Sequence, residues 1–143
     1  MVYTPLTKRA ILFAFDAHRG QYDKSGLPYI THPLHVAESM ESEDECVVAL
    51  LHDVLEDTDI TIEDLVQMGI SARQIAALRL LCHDDSVPYL EYVQAISADP
   101  IARTVKLADL NHNSDLTRLN MVTTKDIDRV EKYKQAIELL SKE

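Results

Sequence analysis

His52 and Asp53 stand side by side in the run Cys46-Val47-Val48-Ala49-Leu50-Leu51-His52-Asp53-Val54-Leu55, which is otherwise apolar. Taking an imidazole and a carboxylate out of water costs on the order of several kcal/mol unless something compensates them. A divalent cation bound between them compensates both at once. From Ser42 to Glu56 there is no Gly or Pro, the acidic residues Glu43, Asp44 and Glu45 crowd the front, and the stretch is too long for a typical strand. It is predicted to be one buried helix. On that helix His52 and Glu56 are four residues apart, as are Asp53 and Asp57, so adjoining faces would carry ligands and acid/base groups together. A plainer reading of the same residues is a buried histidine bonded to its neighbour, with Glu56, Asp57 and Asp59 forming a solvated helix end.

A metal needs further ligands. In the segment Ile101 to His112, the residues Ile101, Val105, Ala108 and His112 follow helical spacing, and Asp109 borders the same inward face. Aspartate is seldom fully buried unless paired or coordinated, so Asp109 reads either as a ligand or as a partner for Lys106. His32 precedes Pro33, which suits a first helical turn and pushes the residue before it out of the α region. His35 lies one turn later, and spacing does not choose between the two.

Four strings occur in order: Ala17-His18-Arg19-Gly20-Gln21, Lys24-Ser25-Gly26-Leu27-Pro28-Tyr29-Ile30-Thr31-His32-Pro33, Ala49 through Thr58, and Val105 through Asn113. Together they resemble the hydrolase domain of the RelA/SpoT alarmone enzymes, a branch of the HD phosphohydrolase superfamily, over about residues 7 to 118. The resemblance implies a metal held by His32, His52, Asp53 and Asp109, with manganese favoured and iron, cobalt or zinc also suited to such a nitrogen and oxygen set. It implies Glu56 and Asp57 as the water-activating carboxylates and Asn113 as a nucleotide-contacting amide. For the loop Lys24-Ser25-Gly26, with Arg19 just upstream, it favours substrate binding over an ordinary surface turn. The implied reaction is removal of pyrophosphate from the 3′ position of ppGpp or pppGpp.

Two positions depart from that pattern. Asp23 stands where the long enzymes typically carry an arginine, and Leu110 follows the ligand aspartate where they carry another. An acidic residue in place of arginine removes a planar cation able to stack on a base or bind phosphate. Asp23→Arg is therefore expected to lower KM for ppGpp. The departures leave two other functions open, a metal-dependent phosphohydrolase of another nucleotide and a catalytically silent nucleotide-binding module; the intact set His32, His52, Asp53, Glu56, Asp57 and Asp109 argues against the silent form.

The rest of the sequence fits an all-α HD-domain fold of about seven or eight helices, with residues 1–143 forming one domain. Pro5 opens a first helix that Gly20 ends, Thr61 starts one that Gly69 closes, Ser71 caps another through Leu81, and Pro88 and Pro100 begin two more. The last, roughly 124 to 141, places Ile127, Val130, Ile137 and Leu140 at core spacing. Glycine is too scarce and β-branched alternation too rare for a sheet. The synthetase of the RelA/SpoT enzymes is a separate mixed domain, so this chain is expected to hydrolyse alarmone and not to make it. A net charge of −10 argues against nucleic acid, while a small nucleotide stays compatible because a metal and a few local cations set the field of a cleft. No stretch suits a membrane span or a secretory signal, which makes cytoplasm the expected location. Cys46 and Cys82 are isolated and read as small buried hydrophobes. His18 and His112 read as residues that orient others, and His83-Asp84-Asp85 as either a helix-end cluster or a site wall.

Overall fold

Polar residues that can close a first helical turn recur along the chain, and each of them starts a helix. The computed structural model describes residues 1–142 and consists of α1 (Pro5–Ala17), α2 (Thr31–Glu38), α3 (Glu43–Leu51), the single turn α4 (Val54–Asp57), α5 (Ile62–Met68), α6 (Ala72–Leu81), α7 (Tyr89–Ile96), α8 (Pro100–Asn113) and α9 (Thr124–Ser141). A 3-10 turn, Leu116–Arg118, lies between α8 and α9. Thr4, Thr61, Ser71 and Thr123 each accept from a first-turn amide while the residue three positions on returns a bond to the cap. Gly69 ends α5 with φ of +104°, a left-handed conformation that a side chain would strain. The described residues contain no strand, only an isolated antiparallel bridge between Tyr22 and Pro28 that closes the loop ahead of α2.

α3 is the centre of the fold. It lies against α1, α2, α6 and α8, and every residue from Cys46 to Leu51 is fully buried. A helix apolar on all sides must be covered on all sides, which is why this run shows no polar face. α8 crosses next to it, packed against α2, α3, α6 and α9, and brings Asp109 to the C-terminal end of α3.

Two expectations are corrected here. The helix that starts at Glu43 does not run unbroken through Glu56: α3 stops at Leu51, His52 and Asp53 form a turn, and α4 follows. The physical cause is local, since the His52 Nδ1 donates to the Ala49 carbonyl at 2.6 Å and takes up the oxygen that a continuing helix would offer to a backbone amide. The described residues thus hold eight longer helices and the single turn α4, in keeping with the all-α fold of about seven or eight helices. Ile127 is 51% exposed rather than core, and Ala136 takes its place among the buried residues of α9 with Val130 and Leu140. Among the described residues no helix is long and apolar enough to cross a membrane.

α8 carries most of the polar groups near α3, and its start is fixed by Asp99, whose carboxylate accepts from the amides of Ile101 and Ala102 at 2.9 and 3.1 Å. Asp99→Ala is expected to cost about 1 kcal/mol and lower the melting temperature by about 4 °C. Urea unfolding with an unchanged m value would mark the loss as one of stability alone.

Candidate active site

Four side chains from three places in the chain meet where α2, the α3–α4 turn and α8 converge. His32 Nε2 lies 2.8 Å from Asp109 Oδ1 and 3.8 Å from Asp53 Oδ2; His52 Nε2 lies 3.0 Å from Asp53 Oδ2 and 3.4 Å from Asp109 Oδ1. His32, His52 and Asp109 are buried, and their ligand atoms all fall within 4.8 Å of one another. His52 shows what the cluster requires. Its Nδ1 hydrogen goes to the Ala49 carbonyl, so Nε2 presents a lone pair toward two carboxylates, and that buried atom has no hydrogen-bond partner. Burial opposes charge on the ring, yet Asp53 and Asp109 hold its pKa well above the ordinary value. Positive charge is therefore favoured between these groups, and two imidazoles with two carboxylates are a donor set that fits a divalent cation. His35, left open by spacing, is exposed and stacks on His112 with ring centroids 3.9 Å apart, so it is His32 that enters the cluster.

Outer partners hold the four in place. Asp109 accepts from Lys106 Nζ at 2.9 Å and from Asn113 Nδ2 at 3.0 Å. The Tyr29 hydroxyl donates to Asp53 Oδ2 at 2.6 Å, and burial with the neighbouring Asp53 keeps that phenol protonated, hence a donor. His32 Nδ1 meets His112 Nδ1 at 2.7 Å, and burial together with nearby Arg118 pushes His112 down to about 4, leaving it neutral. His18 is buried against Tyr29, and its Nδ1 meets Gln21 Oε1, whose amide reaches the Asp57 carbonyl.

Glu56 and Asp57 stand at the rim with Asp53, one oxygen of each within 4.8 Å of the others. Burial raises both pKa values, and the adjacent carboxylates raise them further. Glu56 Oε1 accepts from the His83 amide at 2.7 Å. The His83 ring lies tilted against Tyr92, with centroids 4.5 Å apart, and lines the same cavity of about 240 Å³ as Glu56, Asp57, Lys106 and Tyr89, so the His83 segment is a wall of the cleft. Tyr29, Asn113 and Tyr133 border this cavity and also a second one of about 350 Å³ that contains Lys24 and Ser25. The two are neighbouring compartments of one cleft.

Lys24 is exposed at this second compartment, whereas the Ser25 hydroxyl is turned to Asp23 at 2.5 Å. Arg19 is not brought to either compartment: its guanidinium pairs at the surface with Asp16, one turn back, at 2.7 Å. Asp23 is not an unpaired charge beside Lys24. It accepts from the amides of Ser25 and Leu27 and from Arg118 Nη2, so replacing it by arginine would remove the acceptors that shape the loop and set two cations together. The expectation that Asp23→Arg strengthens ppGpp binding is reversed. Lys106, Tyr29, Arg118 and Tyr133 were not singled out from sequence as cleft residues. Only Lys106 had a local signal, three positions before Asp109; the others are brought in by contacts distant along the chain.

No family model matches the chain. It is similar to the bifunctional (p)ppGpp synthase/hydrolase SpoT of Escherichia coli, 35% identical across 74% of this chain. It spans 17% of the length of that relative. It is 38% identical to the human guanosine-3′,5′-bis(diphosphate) 3′-pyrophosphohydrolase MESH1, across 74% of this chain and 66% of that one. A solved structure of a metazoan ortholog of SpoT, described as hydrolysing ppGpp with a role in starvation responses, superposes with a TM-score of 0.80 over 99% of this chain and 88% of the other at 23% identity, which supports the all-α fold.

A cation that binds the folded chain alone stabilises it, by about 2.7 kcal/mol at a concentration one hundred times its Kd. Manganese is expected to raise the melting temperature of the wild-type chain after chelation, and His52→Ala is expected to abolish that rise. Scanning calorimetry of both proteins with and without the ion checks this.

Proposed function

The chain belongs to the RelA/SpoT-type alarmone hydrolase family, and on that premise we propose that it is a manganese-dependent hydrolase of the 3′-pyrophosphate of ppGpp and pppGpp, built on a single HD-type domain and acting in the cytoplasm. The observation that carries the reading is the convergence of His32, His52, Asp53 and Asp109 beside Glu56 and Asp57, at a compartment that adjoins the one holding Lys24. His32, His52, Asp53 and Asp109 would hold the metal. When bound, it supplies Lewis-acid activation of water and of a phosphoryl oxygen.

The chain's own groups then divide the work. Water adds to the phosphorus on the ribose 3′ oxygen, the P–O3′ bond breaks, and pyrophosphate separates from GDP or GTP. Glu56 or Asp57 takes the proton that water gives up. Burial and the neighbouring carboxylates raise both pKa values, which makes them stronger bases than free carboxylates. Lys106 faces the same compartment, and although its burial disfavours charge, Asp109 and Tyr92 keep it an ammonium that can offset phosphate charge. Lys24 and Ser25 border the compartment for the nucleoside and its 5′ phosphates. Asn113 borders both and donates one amide hydrogen to Asp109, which leaves its second amide hydrogen and its carbonyl oxygen for the nucleotide. A nucleotide is the proposed partner, with neither nucleic acid nor membrane required.

Product analysis of wild-type protein with manganese tests the reading: equimolar pyrophosphate and GDP from ppGpp is the expected result, and other nucleotides run in parallel would expose a different substrate or a silent binding module. Glu56→Gln and Asp57→Asn are expected to keep the metal while turnover falls roughly 100-fold or more in at least one of them. Metal content by elemental analysis alongside kcat separates the two effects, and near-normal turnover in both variants would contradict the assigned base.

A further inference from the structure

Asp23 and Arg118 lie 95 residues apart and meet at the nucleoside compartment, where Arg118 Nη2 donates to Asp23 Oδ2 at 3.1 Å. On its other amino group, Nη1 donates to the His112 carbonyl at 3.0 Å. Guanidinium hydrogens lie in the plane of the group, so acceptors on Nη1 and Nη2 fix that plane from its edge without themselves covering its faces. No aromatic ring among the described residues is stacked on Arg118, and its side chain keeps 20% of its exposure at a compartment bordered by Tyr22, Tyr29 and Tyr133. Asp23 is the better buried partner, at 8%, and its other oxygen is occupied by the amides of Ser25 and Leu27. The carboxylate thus serves the loop and the arginine, and has no oxygen left over for a ligand.

We propose that Arg118 is a nucleobase-binding residue, offering the face of its guanidinium to a purine, and that Asp23 is its positioning residue. The pair is neutral as a unit, which suits stacking on an uncharged ring better than capture of phosphate. Phosphate falls to Lys24, which makes no ion pair among the described residues. The planar cation missing from position 23 therefore arrives from position 118. This assignment rests on the nucleotide reading above and names the part of the cleft that selects the base.

Two product fragments probe the two ends of the cleft separately: GDP for the nucleoside compartment and inorganic pyrophosphate for the metal end, each titrated calorimetrically into manganese-loaded protein. Arg118→Ala is expected to weaken GDP binding roughly tenfold, the scale of one lost base stack, and to leave pyrophosphate binding unchanged. Arg118→Lys, which keeps charge without the plane, is not expected to rescue it. Asp23→Asn keeps an oxygen for the loop amides but loses both the counter-charge and the acceptor that Arg118 uses, so GDP binding should weaken, by a smaller factor than in Arg118→Ala. In turnover of ppGpp, KM should rise by more than kcat falls.

Unchanged GDP affinity in Arg118→Ala, or an equal loss of GDP and pyrophosphate affinity, would overturn the assignment, the second by marking a merely structural role. A wild-type protein that binds GDP through Arg118 but does not hydrolyse ppGpp would sustain the assignment and overturn the proposed function. A wild-type protein that binds no GDP would overturn both.

Discussion

The buried carboxylate of Asp109 and the half-buried one of Asp53, facing two imidazole nitrogens, are the constraint around which this fold is arranged. Asp53 and Asp109 approach His32 and His52 within 2.8 to 3.8 Å, in an interior where uncompensated charge is expensive. The His52 hydrogen is already committed to the Ala49 carbonyl, so the ring can answer the carboxylates only by gaining a proton or by sharing a cation with them. Lys106 and Asn113 answer Asp109 from the same helix, and Tyr29 answers Asp53 from the loop side. Each of these contacts limits where the helices can sit. The apolar run Cys46–Leu51 of α3 is what lets them do so, because a segment covered on every side holds the C-terminal end of the helix against α8.

The same packing gives the cleft two unlike ends. Near the His/Asp cluster the groups are carboxylates, one ammonium and the mutually tilted rings of His83, Tyr89 and Tyr92. At the other end stand Lys24, the Asp23–Arg118 pair and Arg129, which is held by Asp126. A chain with net charge −10 can still receive a polyphosphate because its few cations are placed at these points.

What could be read from the sequence follows the range of each interaction. His52-Asp53 declared itself because charge inside an apolar run has no ordinary explanation, and the helix starts at Thr61, Ser71 and Thr123 were legible because capping acts over three residues. The break after Leu51 was not legible: His52 and Asp53 keep α-region dihedrals, and the interruption comes from a side chain competing for a carbonyl. Arg19 looked like a phosphate-binding residue beside a glycine loop, but a nearer acid, Asp16, takes its guanidinium. Asp23 looked like a lost cation because its partner lies 95 residues away. No short-range pattern carries that information.

The central claim, that this convergence of side chains holds a catalytic cation, is tested most directly by titrating chelator-treated protein with manganese while following pyrophosphate release from ppGpp. Release is expected to be absent at the start and to rise to a plateau at one equivalent of manganese per chain. Full release by the chelated protein before any metal is added would contradict it.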